Sequence, residues 1–233
     1  MDDFNIQLDN TCINNLLLGG FKANNLYHIY GKEGTGKSTF GLFLAYLVAK
    51  KGYKILYIVT DTGLNLPRLK QISNEQFPKI SRQIFVQKPE SFQDQDRIIN
   101  RLENFITDQF KLIVLDDLVS LMVKKSRIDS KTYLKKRMLS RQLALLKNIS
   151  KTFGLIILII NQSSSIKAVD ENNNDRSETP FYNQISTFYS DYDLEIRKLG
   201  NREFSKRKMV RIKPKITDII EECEFTLTNT GIV

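Results

Sequence analysis

Residues 31–38, Gly-Lys-Glu-Gly-Thr-Gly-Lys-Ser, hold the most specific chemistry in the chain. Gly31, Gly36, Lys37 and Ser38 satisfy the spacing G-x-x-x-x-G-K-[ST]. Glycines so placed let backbone N–H groups turn inward around phosphate oxygens, and a following helix adds its positive N-terminal end. Lys37 is long enough to reach the β- and γ-phosphates, and the Ser38 hydroxyl suits a Mg²⁺ ion. Glu33, Gly34, Thr35 and Thr39 complete the set of nucleotide-binding candidates. A chance match in a chain of this length has odds of about one in a hundred, so the reading is ATP with Mg²⁺.

Three strand-end residues extend this chemistry. Asp116 closes the apolar run Leu-Ile-Val-Leu-Asp, where a carboxylate can hold Mg²⁺ through water, across from Ser38. Asp61 follows the apolar run at 54–60; a carboxylate there can orient a water for in-line attack, and a turn-forming aspartate is the alternative. Gln162 ends the run at 155–161, where an amide can sense the γ-phosphate or simply close a strand. Lys37, Asp61 and Gln162 are therefore the catalytic candidates, and Ser38 and Asp116 the metal candidates. Asp117 reads as a cap or surface residue, and the lone His28 as structural.

Elements that place these groups follow from hydrophobic period. Continuous apolar runs at 26–30, 54–60, 112–116 and 155–161 suit parallel strands buried on both faces, with a short strand at 84–87. Helices are expected at 38–50, from Asn65-Leu66-Pro67 onward, at 94–106 and at 133–151, the last with Met138, Gln142, Leu145 and Ile149 recurring at helical spacing. Alternation then takes over: Tyr192, Leu194 and Ile196 point one way and Asp193, Glu195 and Arg197 the other, which predicts a strand with one wet face. Further strands fit 210–213 and 225–227. The fold expected is α/β, mostly parallel with an antiparallel C-terminal extension. Segment 163–186 is long for a connection, and such loops tend to be functional or disordered.

The chain has 233 residues and a net charge of +9. Ten basic residues (Lys124, Lys125, Arg127, Lys131, Lys135, Lys136, Arg137, Arg141, Lys147 and Lys151) face only Asp129 over 123–151, and nine face three acidic ones over 193–215. Such clusters suit a polyanion or form a solvated face. Cys12 and Cys223 lack metal-ligand spacing and read as reduced thiols of a cytoplasmic protein. No apolar stretch is long enough to span a membrane, and no signal peptide is expected.

These residues resemble the RecA/RadA recombinase family, most closely its archaeal RadB branch. The resemblance lies in INNLLLGGF at 13–21, YIVTDTGLNLPRLKQI at 57–72, PESFQDQ at 89–95, the segment at 137–162 ending in Asn-Gln, and FTLTNTGI at 225–232. It implies a RecA-type core with strand order 3-2-4-5-1-6-7-8, ATP and Mg²⁺ as ligands, and DNA recombination or repair as the setting. It carries over residues 31–38 as the phosphate loop, Asp116 as the magnesium acid and Gln162 as the γ-phosphate sensor, and sets Arg68 where family members contact adenine. DNA, a recombinase or another repair protein, and a second copy of the chain are the implied partners.

Departures shape the expected activity. Thirty residues precede Gly31, too few for the helical N-terminal domain of strand-exchange recombinases, so one ATPase domain over 1–233 is expected. Asp61 replaces the family's glutamate and is one methylene shorter; because a misplacement of about 1 Å can lower a rate roughly a hundredfold, turnover is expected to be slow. The loop after Gln162 has Lys167 and Arg176 against Asp170, Glu171, Asp175 and Glu178, which turns attention for DNA to the two basic clusters. Two other readings are a KaiC-like signalling ATPase, which shares GTGKST, and a module that holds ATP without hydrolysing it.

Overall fold

The computed structural model describes residues 4–61, 63–123, 132–164, 179–200, 206–216 and 221–233. In chain order the strands are β1 (Asn5–Ile6), β2 (Phe21–Lys22), β3 (Asn25–Gly31), β4 (Lys54–Val59), β5 (Ile84–Gln87), β6 (Phe110–Asp116), β7 (Ile156–Ser164), β8 (Thr179–Pro180), β9 (Tyr192–Lys198), β10 (Lys206–Lys213), β11 (Glu222–Thr228) and β12 (Gly231–Ile232). The helices are α1 (Thr11–Leu16), α2 (Lys37–Lys50), α3 (Leu66–Ser73), α4 (Phe77–Ser81), α5 (Phe92–Asn100), α6 (Leu102–Phe105), α7 (Ser120–Val123), α8 (Thr132–Phe153) and α9 (Asn183–Tyr189).

The main sheet runs β12-β11-β10-β9-β3-β7-β6-β4-β5, with β8 beside β7, while β1 and β2 pair separately. For the eight core strands β3, β4, β5, β6, β7, β9, β10 and β11 this is the order that the family resemblance implies. Strands β5, β4, β6, β7, β3 and β9 are parallel. Along this path antiparallel pairing begins at β10, so the sixth core strand belongs to the parallel part, while the short β8 adds an antiparallel pair to β7.

Parallel strands must be covered on both faces, and the apolar runs do this by alternation. Ile156, Leu158 and Ile160 pack on the side of α2, together with Tyr57, Val114 and Phe40. Ile157 and Ile159 pack on the side of α8, with Leu56, Ile113 and Leu143. Helix α2 is apolar on most of its surface because it lies beneath other elements, including α3, and on the sheet. Gly41 permits that approach: a Cβ there would come within 2.9 Å of Ile160 Cδ1 and 3.0 Å of the Tyr57 hydroxyl.

Several expectations are corrected. The polar side of β9 is not wet: Asp193 and Glu195 are each 1% exposed. His28 Nδ1 lies 2.8 Å from Asp193 Oδ1, and Ser190 Oγ donates to the same oxygen at 2.8 Å. Burial works to raise the Asp193 pKa, but hydrogen bonds from His28, Ser190 and Thr187 and the His28 charge outweigh it and hold it low. Alternation read correctly as strand but wrongly as solvent, because α8 and α9 pack over the neighbouring β3 and the Asp193 carboxylate turns onto His28 and Ser190. The strand expected at 210–213 starts at Lys206, and the helix expected at 94–106 breaks at Arg101. On α8 the buried stripe is Leu139, Gln142, Leu143, Leu146 and Ile149, one position off at Met138 and Leu145, which are half-buried. Segment 163–186 includes β8 and the start of α9; its residues 165–178 lie outside the described ones.

Cys12 in α1 and Cys223 in β11 form a disulfide, with Cα atoms 5.8 Å apart, where reduced thiols were expected. Sequence spacing hides this pair, because they lie 211 residues apart and meet only when α1 packs on β11.

Candidate functional site

The turn from β3 into α2 fixes the loop at 31–38. Gly36 precedes α2 with φ of 99°, a left-handed conformation that other residues rarely adopt. A Cβ at Gly36 would also collide with Leu227 Cδ1 of β11. No side chain caps this helix, so first-turn N–H groups stay available to an anion. They border a cavity of about 460 Å³ lined by Glu33, Gly34, Gly36, Lys37, Ser38 and Thr39. Thr35 is buried beneath the turn, its hydroxyl donating to the Lys32 carbonyl at 2.9 Å.

Lys37 is 7% exposed, and its Nζ donates to the carbonyls of Gly31 at 2.8 Å and Lys32 at 2.7 Å. The ammonium is thereby held against the loop that it would serve. Across the sheet, Ser38 Oγ donates to Asp116 Oδ1 at 3.1 Å and the Tyr57 hydroxyl donates to Oδ2 at 3.0 Å. Burial raises the Asp116 pKa, while those two hydrogen bonds and the Lys37 charge oppose it. Burial and the Asp116 charge push Tyr57 well above its ordinary value, so it acts as a donor. Adjacent ligands of an octahedral Mg²⁺ are about 3 Å apart, which the Ser38 and Asp116 oxygens match. The oxygen donor set and the spacing therefore fit a hard divalent cation.

Asp61 is exposed just beyond β4, and Gln162 is exposed on β7; both line the cavity. Together with Asp117, Val119, Ser120, Val123 and Phe181 they also line a smaller adjoining cavity of about 100 Å³. Asp117 is buried rather than on the surface, and its Oδ1 accepts the Val119 N–H at 2.8 Å. Burial raises its pKa to about 6. The structure thus brings the loop at 31–38, Asp116, Asp61 and Gln162 to one cavity.

Arg68 stands apart from the cavity wall. Its guanidinium donates to the Thr228 carbonyl and, at 3.0 Å, to Gln71 Oε1, and burial lowers its pKa. Asn65, which caps α3, lines the cavity instead. Two residues escaped the sequence reading. Tyr57 passed as one member of an apolar strand, although its hydroxyl required a buried partner. Arg207 was counted in a basic cluster, yet it is 5% exposed, lines the cavity and donates from Nε to the Thr35 carbonyl at 3.4 Å. Its signal was the alternation Arg207, Met209, Arg211, which turns all three inward on β10.

That C-terminal cluster is largely absorbed by the fold. Arg211 donates to the Leu16 carbonyl, Lys213 to the carbonyls of Thr187 and Ser190, and Lys206 and Lys208 pair with Glu224 and Glu222. In the other cluster Arg141 pairs with Asp96 and Lys147 with Asp191, while Lys136, Arg137 and Lys151 are exposed on α8. Lys124, Lys125, Arg127 and Lys131 lie outside the described residues. Among the described residues no helix is long and apolar enough to cross a membrane.

Residues 4–233 match the Rad51 family. The chain is 31% identical over 231 residues to the DNA repair and recombination protein RadB of Methanobrevibacter smithii, covering 96% of this chain and 94% of that one. It is 29% identical over 232 residues to RadB of Methanococcoides burtonii, covering 97% of each. RadB of Methanosphaera stadtmanae is 27% identical over 226 residues, with 96% and 94% covered.

Proposed function

The chain belongs to the Rad51 family, and from that premise we propose that it is a RadB-like ATP-dependent accessory protein of DNA recombination and repair, built as a single RecA-like domain and working in the cytoplasm. The observation that supports this most is the meeting of Lys37, Ser38 and Asp116 at one end of a 460 Å³ cavity rimmed by uncapped helix N–H groups.

Loop amides at 31–39 cradle the phosphates of ATP, and Lys37 exchanges its carbonyl partners for phosphate oxygens. Ser38 and Asp116 would hold a Mg²⁺ ion, whose charge neutralises the phosphate oxygens. Asp61 orients the attacking water, and Gln162 senses the γ-phosphate from β7, which leads into residues 165–178. Arg207 supplies a second fixed positive charge beside the loop. Asp61 stands one methylene short of a glutamate, which makes the hydrolysis slow.

DNA is the polyanion that suits the exposed cations of α8, and the names of the relatives set the same context. A recombinase, another repair protein or a second copy of the chain completes the proposed partners. The test is ATP turnover with and without single-stranded DNA, using Lys37→Ala as a control, together with DNA binding across a salt series. The reading expects slow turnover that Lys37→Ala abolishes. It also expects DNA affinity that falls steeply with salt, as neutralising several phosphates requires. DNA affinity indifferent to salt would count against the DNA part.

A further inference from the structure

Thr60 directly follows β4, is 3% exposed, and has a hydroxyl whose hydrogen-bonding capacity is fully used. It donates to the Asp117 carbonyl at 2.6 Å, accepts the Asp117 N–H at 2.8 Å, and lies 2.7 Å from Ser120 Oγ. One proton and two lone pairs account for all three contacts if Ser120 is the donor in the third. The Thr60 N–H adds a bond to the Asp116 carbonyl at 2.8 Å.

The parallel ladder between β4 and β6 ends at Val59 opposite Asp116. The bond from the Thr60 N–H to the Asp116 carbonyl is the last main-chain link of that ladder, and past it the Thr60 hydroxyl binds the two strand tips together. Asp61 is the next residue on one tip, and Asp116 and Asp117 stand on the other. Asp61 therefore leaves its strand directly after a buried hydroxyl that grips the peptide groups of Asp117.

We propose that the Thr60 hydroxyl is a positioning group for ATP hydrolysis, fixing Asp61 relative to Asp116 so that the water held by one meets the phosphate held beside the other. This rests on the ATPase reading given above. Thr60 lines neither of the two cavities described above; it acts through Asp61. Because a displacement of about 1 Å can change a rate roughly a hundredfold, loosening this joint shows in turnover before it shows in binding.

The test compares Thr60→Val, Thr60→Ser, Asp61→Asn and the double variant Thr60→Val/Asp61→Asn. Single-turnover hydrolysis, Mg-ATP affinity and thermal unfolding are measured for each. Thr60→Val is expected to hydrolyse about tenfold to a hundredfold more slowly, with nucleotide affinity within about twofold of wild type. Thr60→Ser is expected to recover the rate to within about threefold. In the Asp61→Asn background, Thr60→Val should cause no further loss, since a group acting through Asp61 has nothing left to position. A wild-type rate in folded Thr60→Val, equal damage from valine and serine, or independent losses in the double variant overturns the proposal. Should Thr60→Val fail to fold, Thr60→Ala takes its place, with slower turnover at unchanged affinity expected and an unchanged rate overturning the proposal. Wild-type protein that binds Mg-ATP without hydrolysing it overturns the ATPase reading and this proposal together. Wild-type turnover that ignores the Thr60 hydroxyl overturns this proposal alone.

Discussion

Replacing Gly36 with alanine tests the architecture of the phosphate loop without any ligand. Two separate penalties meet at this position. A side chain at φ of 99° is strained, at about 1–2 kcal/mol for a left-handed conformation. The added methyl also collides with Leu227 Cδ1, the end of a flexible side chain beside the cavity, so relief costs about 1 kcal/mol, the low end for overpacking. Together they give about 2–3 kcal/mol, or a fall in Tm of roughly 4–12 °C for a domain of this size. Leu227→Ala separates the two terms, because it removes the steric partner and leaves the backbone strain. Truncating Leu227 alone opens a cavity at a cost of about 2–5 kcal/mol. The double variant should then be less destabilised than the sum of the single variants by about 1 kcal/mol. Urea and thermal unfolding of nucleotide-free protein, followed by circular dichroism, read all four corners of the cycle. Gly36→Ala within about 0.5 kcal/mol of wild type, or strict additivity with Leu227→Ala, would refute the geometry.

Asp193 gives a pH signature. Its folded pKa is lowered, so its contribution to stability is present above the ordinary carboxylate value and is lost as pH falls through the folded value. Asp193→Asn should therefore lose about 1–3 kcal/mol at neutral pH, and the gap to wild type should close below about pH 4 in an unfolding series; a gap that widens in acid contradicts the pairing with His28. Asp61→Glu restores the missing methylene and should raise ATP turnover about tenfold, measured as phosphate release; no gain would favour a site that holds nucleotide without hydrolysing it.

The central site was legible because its chemistry is contiguous in sequence. Residues 31–38 carry their own turn, and Asp116 announces itself at the end of a buried strand. Strand and helix placement followed from hydrophobic period, and strand order from the family resemblance. What stayed hidden depends on contacts far apart in the chain. Tyr57 reaches Asp116 across 59 positions, Arg207 reaches Thr35 across 172, and Cys12 reaches Cys223 across 211. The burial of Asp193 and Glu195 was misread for a related reason: alternation tells which residues share a face, whereas burial depends on what packs above that face. Basic residues show the same limit, since counting Arg207 and Arg211 as surface charge ignored the inward phase of β10.

Titrating Mg-ATP into the protein by calorimetry, with Lys37→Ala in parallel, is the most direct measurement. Lys37 makes two bonds that a phosphate can replace, and losing charge-assisted contacts worth about 3 kcal/mol corresponds to roughly a hundredfold. Association at one site, weakened about a hundredfold by Lys37→Ala and weakened again when chelator removes Mg²⁺, is the predicted result. No heat from the wild-type protein, or equal affinity in Lys37→Ala, would contradict it.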